Sequence, residues 1–94
     1  MNDRELADKV VKLLGWSPLI LETYPPKVFL ERWDTAGALM EKWQTVQTWH
    51  MPYEGEPTWF CATDVDFAGE PTGIVSNESL RRAIIEACVG ALDV

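Results

Sequence analysis

The sequence predicts an α+β fold, a layered α/β sandwich in which three helices surround a small, mainly antiparallel sheet. Segments at both ends of the chain have apolar residues at helical spacing, whereas residues 58–66 alternate like a strand. The 94 residues are 47% hydrophobic, which suits one folded domain with one core. We expect residues 1–94 to form that domain, because no repeat, low-complexity tract or linker interrupts them.

Residues 76–94 form the best-defined predicted helix and the predicted centre of the core. Ser76 or Asn77 is expected to cap its start. Its polar residues make only a narrow strip: Arg81, Arg82, Glu86, Gly90 and Asp93. A helix this apolar is normally covered on more than one side. We therefore expect Ile84 to be buried and Arg82 to face water.

A first helix is predicted from about Asp3 to Leu14. Asn2 and Glu5 have the spacing of a capping box. Gly15 follows where a left-handed residue commonly ends a helix, and Trp16 falls at the position that packs back on the last turn. A structural role for Trp16 is therefore favoured over ligand contact.

Residues 17–33 are rich in proline and have the least regular pattern. Leu19 to Leu21 is either a short strand or a packed loop, and Lys27 to Leu30 is predicted as another short strand. Aromatic residues in this segment either cover the edge of the core or form an exposed binding surface. The candidates for that surface are Tyr24, Phe29 and Trp33.

A second helix is predicted to begin at Asp34 or Thr35, since either residue can cap it. Helical spacing assigns one buried face to it. That face consists of Ala36, Leu39, Met40, Trp43 and Val46.

Two strands are predicted to follow and to form an antiparallel hairpin. The first is Gln47–Tyr53, a sheet edge because Pro52 lacks an N–H; the alternative is that the second helix continues to Trp49. Residues 54–57 are turn material, and the second strand is Thr58–Asp66. Its first half is apolar on both sides, so we expect both faces to be covered there. Residues 67–75 are predicted as a loop.

No residue set forms a catalytic signature, so we do not expect an enzyme. The sole histidine, His50, would need Cys61 and Asp64 to converge on it, and no nucleophile turn is present. Paired Arg81 and Arg82 are expected to meet the acidic residues 64–70, which we favour over a phosphate site.

No metal or cofactor is expected either. Asp64, Asp66 and Glu70 are oxygen ligands of the kind that hold magnesium or calcium, but they lack the spacing of a known ligand loop. A solvated, charged strand end is the favoured interpretation of these residues.

The formal net charge is −7, and the carboxylates are spread along the chain without a dense block. An acidic surface disfavours nucleic-acid phosphates and anionic membranes, so neither is an expected partner. The absence of a block also argues against an acidic mimic of nucleic acid, and solubility is the favoured reason for the charge.

The N-terminal residues are polar, and no apolar run approaches the length of about 20 residues needed to span a bilayer. We therefore expect a cytoplasmic protein. Cys61 and Cys88 lack CxxC spacing and lie in apolar stretches, which favours buried thiols over a disulfide or a nucleophile.

Four segments together resemble the phage ABA sandwich domain proteins. They are NDRELADKVVKLLGW at the start, LMEKW in mid-chain, TWFCAT in the second strand and RRAIIEACVGAL at the end. The resemblance implies a small bacteriophage-encoded protein with a layered α/β fold, without a defined activity or catalytic residues. Residues 17–33 depart from the resemblance, so no site is carried over to them.

These observations lead us to expect a non-catalytic phage accessory protein that binds a host or phage macromolecule, with inhibition of a host defence complex as one specific form. The expected partner is a protein, either another molecule or a second copy of this chain. The candidate contact residues are Tyr24, Phe29, Trp33, Trp49 and Tyr53. The alternative is a protein that sequesters a small ligand or nucleotide, which requires a concave pocket with convergent arginine and aromatic groups.

The expected thiols and the lack of a metal site predict insensitivity to reductant and chelator. The thermal midpoint of unfolding should be the same with and without either reagent, because neither a disulfide nor a metal contributes to folding. Scanning calorimetry measures this. A fall of several degrees with reductant would reveal a disulfide, and one with chelator would reveal a structural metal.

Overall fold

The computed structural model describes residues 2–42, 46–65 and 68–92. Its helices are α1 (Asp3–Leu14), α2 (Ile20–Thr23), α3 (Pro26–Phe29), α4 (Trp33–Met40) and α5 (Leu80–Leu92). Its strands are β1 (Gln47–Tyr53), β2 (Glu56–Ala62), β3 (Asp64–Val65), β4 (Pro71–Thr72) and β5 (Val75–Asn77). The fold is α+β, as predicted, and two four-residue helices, α2 and α3, join the three expected ones.

The α1 helix has the ends that the sequence predicted. The Asn2 side chain accepts a hydrogen bond from the Glu5 backbone N–H at 2.8 Å and caps the N-terminus. Gly15 adopts a left-handed conformation with φ 70°. The N–H of Trp16 then donates to the Val11 carbonyl at 3.1 Å, completing the helix-ending turn.

Residues 17–33 contain α2 and α3, so the predictions of strands at Leu19–Leu21 and Lys27–Leu30 were wrong. Pro26 occupies the first turn of α3, where its fixed φ suits a helix and its missing N–H costs nothing. The two helical turns bury Leu21, Phe29 and Leu30, and α3 packs on α1. Burial in the core, which for α3 includes packing on α1, therefore decides the local conformation, which the short apolar runs alone left ambiguous.

The α4 helix begins one residue earlier than predicted and ends sooner. Arg32 precedes it without a side-chain cap, because a guanidinium has no acceptor for a backbone N–H. The expected cap Asp34 lies inside the helix, and its carboxylate accepts hydrogen bonds from the Arg32 guanidinium. Met40 is partly exposed, and Val46 packs against the core from the segment that leads into β1, so two members of the predicted buried face were misplaced. Trp43, a third member, lies outside the described residues.

The β1–β2 hairpin matches the prediction, including the bounds of β1 and the antiparallel pairing. Tyr53 lies opposite Glu56, and the two residues between them form the turn. Glu54 and Gly55 both have positive φ, 53° and 83°, as in a type I′ turn. The helical alternative for residues up to Trp49 was therefore wrong.

The second predicted strand, 58–66, was placed too late and made too long. It starts at Glu56 and is interrupted at Thr63, after which β3 pairs with β4 in a separate two-stranded sheet. The predicted loop 67–75 includes β4 and leads into β5, which pairs with β2 and gives the sheet order β1-β2-β5. Asp66 and Phe67 lie outside the described residues.

The α5 helix lies at the centre of the core, as predicted. It contacts β2 and β5 of the sheet and also α1 and α4. Its fully or almost fully buried residues are Ala83, Ile84, Ile85, Ala87, Cys88 and Val89. Elements from both halves of the chain therefore share one helix as their packing partner.

The start of α5 differs from the prediction. The helix begins at Leu80, and the cap is Ser79, whose Oγ accepts from the Arg82 backbone N–H at 3.4 Å. Asn77, one of the two expected caps, ends β5, and its side chain accepts from the Ser79 N–H at 2.9 Å. Pairing with β2 keeps these residues extended and delays the helix.

Arg82 was expected to face water, and that prediction was wrong. Its side chain is only 16% exposed. Its Nη2 donates to an Asp3 oxygen at 3.0 Å and to a Glu86 oxygen at 3.4 Å. Since Asp3 begins α1, this contact joins the first turns of the first and last long helices.

We expect Ile84→Ala to lower the free energy of unfolding by about 2–5 kcal/mol, because it leaves a cavity in the core. Arg82→Ala should cost less, about 1 kcal/mol, because water still reaches the Asp3 and Glu86 carboxylates. Lys12→Ala, at an exposed position of α1, is the control. Urea unfolding measures all three, and equal midpoints for Ile84→Ala and Lys12→Ala would contradict the assigned core.

Candidate functional site

One face of the sheet carries a cluster of aromatic side chains. Trp49 on β1 stacks on Phe60 of β2, with ring centroids 5.6 Å apart and planes 6° from parallel. Tyr53 meets the same Phe60 ring edge-on at 6.0 Å. Met51 lies between Trp49 and Tyr53 on the same side of β1, since side chains of a strand alternate. We call these four residues, Trp49, Met51, Tyr53 and Phe60, the aromatic face.

The aromatic face lies on the side of the sheet opposite the core. Cys61 and Val75 belong to the core side, and Trp59 packs against the core beside them. Met51 and Tyr53, in contrast, are 48% and 55% exposed. On the same side of β2, Thr58 is only 8% exposed, and the Phe60 ring is covered in part by its neighbours on the hairpin. The first half of the predicted strand is therefore largely covered on both faces, as expected, and the part of the aromatic face that stays open to water is Met51 and Tyr53 on β1.

The stretch of chain that contains the aromatic face is acidic. Between Lys42 and Arg81 the chain has no lysine or arginine. The carboxylates in that stretch are Glu54, Glu56, Asp64, Asp66, Glu70 and Glu78. These six residues account for most of the net charge of −7, so the charge is concentrated in the part of the chain that forms the sheet.

The other predicted contact residues lie beside the helices. The Arg32 guanidinium lies 4.0 Å above the Tyr24 ring and also binds the Asp34 carboxylate at 2.8 and 3.0 Å. Those hydrogen bonds lower the pKa of Asp34. Trp33 is 57% exposed. The Arg81 guanidinium lies 5.3 Å from the centre of its ring, so a cation of the chain itself occupies part of its surface.

Phe29 does not belong to any exposed surface, and that prediction was wrong. Its side chain is fully buried and meets the Trp16 ring edge-on at 6.2 Å. Because Pro26 starts a helical turn, Phe29 points toward α1 and not outward. The five predicted contact residues thus divide into the exposed or half-exposed Tyr24 and Trp33, the buried Phe29, and two members of the aromatic face.

Two side chains that the sequence offered for nucleophilic chemistry, Cys61 and His50, lie in different environments. Cys61 is fully buried, and burial raises the pKa of its thiol to about 11, opposite to the shift that activates a nucleophilic cysteine. His50 is exposed and stacks on Trp59 with ring centroids 4.5 Å apart. Among residues 2–42, 46–65 and 68–92, no group of three histidine, cysteine or acidic side chains has the geometry to hold a metal ion.

The arginines of α5 pair with carboxylates other than those expected. Arg81 binds Glu31 at 3.6 Å, and Arg82 binds Asp3 and Glu86. Within the expected segment 64–70, Asp66 and Phe67 lie outside the described residues, and the carboxylates found beside the two arginines belong to Glu31, Asp3 and Glu86. Both guanidinium groups have carboxylate partners within the chain, which disfavours a phosphate site between them.

A shallow apolar groove of about 290 Å³ runs between α5 and the segment before β5. Its lining residues are Thr63, Gly73, Ile74, Val75, Ala87, Gly90 and Ala91. None of these lining residues is an arginine or an aromatic residue, whereas a groove that sequesters a nucleotide requires both.

In the part of the chain that the structure describes, no helix combines the length and apolar character needed to cross a membrane. The chain matches no protein-family model, no curated protein and no solved structure.

Sequence reasoning found Trp49 and Tyr53 but missed Met51 and Phe60. The missing signal was the alternation within β1, where Trp49, Met51 and Tyr53 share one side. The register of the hairpin then places Phe60 opposite Trp49. The sequence also contains an asymmetry of charge. Residues 43–80 have six carboxylates and no lysine or arginine, although these carboxylates do not form a dense block.

The turn beneath the aromatic face predicts a stabilising substitution. Glu54 has a left-handed backbone, which favours asparagine over glutamate, so Glu54→Asn should raise the free energy of unfolding by up to about 1 kcal/mol. Glu54→Gln removes the same charge without the backbone preference and is the matched control. Urea midpoints measure the effect; equal gains in both variants would assign it to charge.

Proposed function

We propose that this domain is a non-catalytic binding protein that holds a basic protein partner on the aromatic face. The observation that carries the proposal is the cluster of Trp49, Met51, Tyr53 and Phe60, partly open to water, in the longest stretch of the chain without lysine or arginine. Large aromatic side chains are the commonest energetic anchors of protein interfaces. The hairpin holds them in fixed positions before binding, which lowers the entropy lost on association.

The charge distribution selects the kind of partner. An acidic surface attracts a basic protein during diffusional encounter, and arginine and lysine side chains also bind well over aromatic rings. The same charge repels nucleic-acid phosphates. A basic protein is therefore a better occupant of the aromatic face than a nucleic acid or an acidic protein.

The resemblance to phage ABA sandwich domain proteins adds a biological setting to the proposal. In that setting the chain is a phage accessory protein that binds a host or phage protein in the bacterial cytoplasm. Inhibition of a host defence complex is one specific form. Support for this setting comes from the sequence segments alone, one of which, Thr58–Thr63, contributes Phe60 to the aromatic face.

Tyr53→Ala should weaken partner binding about 30-fold or more, the equivalent of about 2 kcal/mol for a central interface aromatic. Its effect on folding should be small, because the side chain is more than half exposed. Val28→Ala, which truncates an exposed apolar residue on α3, is the control. The partner is captured from bacterial lysate, purified and titrated by calorimetry, and its affinity should fall as salt is raised.

Trp33→Ala separates the aromatic face from the surface beside the helices. If Trp33→Ala weakens binding and Tyr53→Ala does not, the partner binds near Arg81 and the proposed surface is wrong. Capture of acidic proteins only, or equal affinities for Tyr53→Ala and Val28→Ala, would also refute the proposal.

A further inference from the structure

The outer edge of β1 has backbone groups that face away from the sheet. In the order β1-β2-β5, β1 is an edge strand of the sheet, and all its residues except Trp49 are exposed. Exposed sheet edges are usually protected by charged side chains, by proline, by bulges or by shortness. The opposite edge, β5, has only three residues, whereas β1 has seven and carries no lysine, arginine, aspartate or glutamate.

The two prolines of the hairpin reveal which backbone groups point outward. Pro52 and Pro57 lie opposite each other, and neither has an N–H, so they cannot be a hydrogen-bonded pair. Because bonded and non-bonded pairs alternate, the N–H and C=O groups of Thr48 and His50 point to the free edge. The two-residue turn after Tyr53 agrees with this pattern, since it is closed by a bonded pair.

We propose that β1 pairs antiparallel with β1 of a second copy, about a two-fold axis that passes beside Trp49. In this register Thr48 lies opposite His50 of the second copy and exchanges both backbone hydrogen bonds with it. Trp49 lies opposite Trp49 of the second copy in a non-bonded pair, where Cα atoms are about 4.5 Å apart and side chains are closest. A register centred on His50 would instead place Pro52 opposite Thr48 and lose a donor near the middle of the ladder.

The backbone groups of this edge are self-complementary, which favours a second copy as its occupant, because Thr48 of each copy can exchange hydrogen bonds with His50 of the other. β1 has no lysine, arginine, aspartate or glutamate, so the acidic residues Glu54 and Glu56 of each copy remain at the outer ends of the ladder. Pairing joins the two three-stranded sheets into one and makes the aromatic faces of both copies continuous. This inference goes beyond the proposed function and does not depend on it.

Disulfide capture tests both the pairing and its register. Trp49→Cys should form a covalent dimer under mild oxidation, since the paired Cα atoms lie within the range of about 4.4–6.8 Å for a disulfide. Met51→Cys is the matched control, because residue 51 of the second copy would be four positions along the strand, about 13 Å away. The native thiols Cys61 and Cys88 are buried, so the wild-type protein measures the background.

Sedimentation equilibrium of the wild-type protein should show a dimer. The Thr48→Pro variant should be monomeric, because the substitution removes an N–H that points outward, and its helical circular dichroism signal should be unchanged. A monomeric wild type overturns the inference, as does cross-linking of Met51→Cys in place of Trp49→Cys. If Thr48→Pro does not fold, the two cysteine variants decide. A monomer that still captures a basic protein refutes the dimer alone, and a dimer that captures none refutes the proposed function alone.

Discussion

The structure depends on the burial of one helix that is apolar on most of its surface. The side chains of α5 from Ala83 to Val89 are buried, apart from Glu86, which is half-buried. Small residues such as Ala83 and Ala87 allow close approach, while Ile84 and Ile85 supply larger apolar surfaces, each worth roughly 1.5–3 kcal/mol when fully buried. The sheet strands β2 and β5 and the helices α1 and α4 all contact α5, which is therefore their common packing partner.

Polar contacts fix the direction in which α5 enters this core. Arg82 and Asp3 join the first turns of α5 and α1. The Ser79 hydroxyl donates a hydrogen bond at 3.0 Å to the carboxylate of Glu31, which lies in the segment before α4. Arg81 binds the same Glu31 and covers part of the Trp33 ring. These contacts are partly open to water, so each contributes modestly to stability. Their main effect is positional, since they hold three distant segments at one end of the helix.

Covering α5 also determines where the exposed aromatic surface lies. The sheet presents Cys61, Trp59 and Val75 to the core, which leaves Trp49 and Phe60 on the other side. The rings on that side cover one another across the hairpin, and the stretch between Lys42 and Arg81 that contains them has six carboxylates and no lysine or arginine. An aromatic cluster and a seven-residue strand edge that carries no charged side chain and has proline only near its end lie on the same hairpin. Both are features of an interaction surface, and they make β1 the element from which both proposals start.

The sequence by itself determined the elements whose pattern is local. The cap at Asn2, the left-handed Gly15, the bounds of β1 and the apolar character of α5 follow from residue spacing and from backbone preferences that act within a few residues. The sequence also contained the charge asymmetry and two members of the aromatic face, Trp49 and Tyr53. These features need no knowledge of distant contacts.

Tertiary structure decided the features for which local preferences are weak or balanced. The short apolar runs around Leu21 and Phe29 suit a strand or a helical turn equally, and burial in the core, which for Phe29 includes packing on α1, selects the turn. Helical spacing predicted Arg82 as a surface residue, because its partner Asp3 lies 79 positions away in the sequence. The face of the sheet on which Phe60 lies turns away from the core because α5 covers the other face. The sequence of β2 could not show this, since a strand that is apolar on both sides does not specify its own inner face.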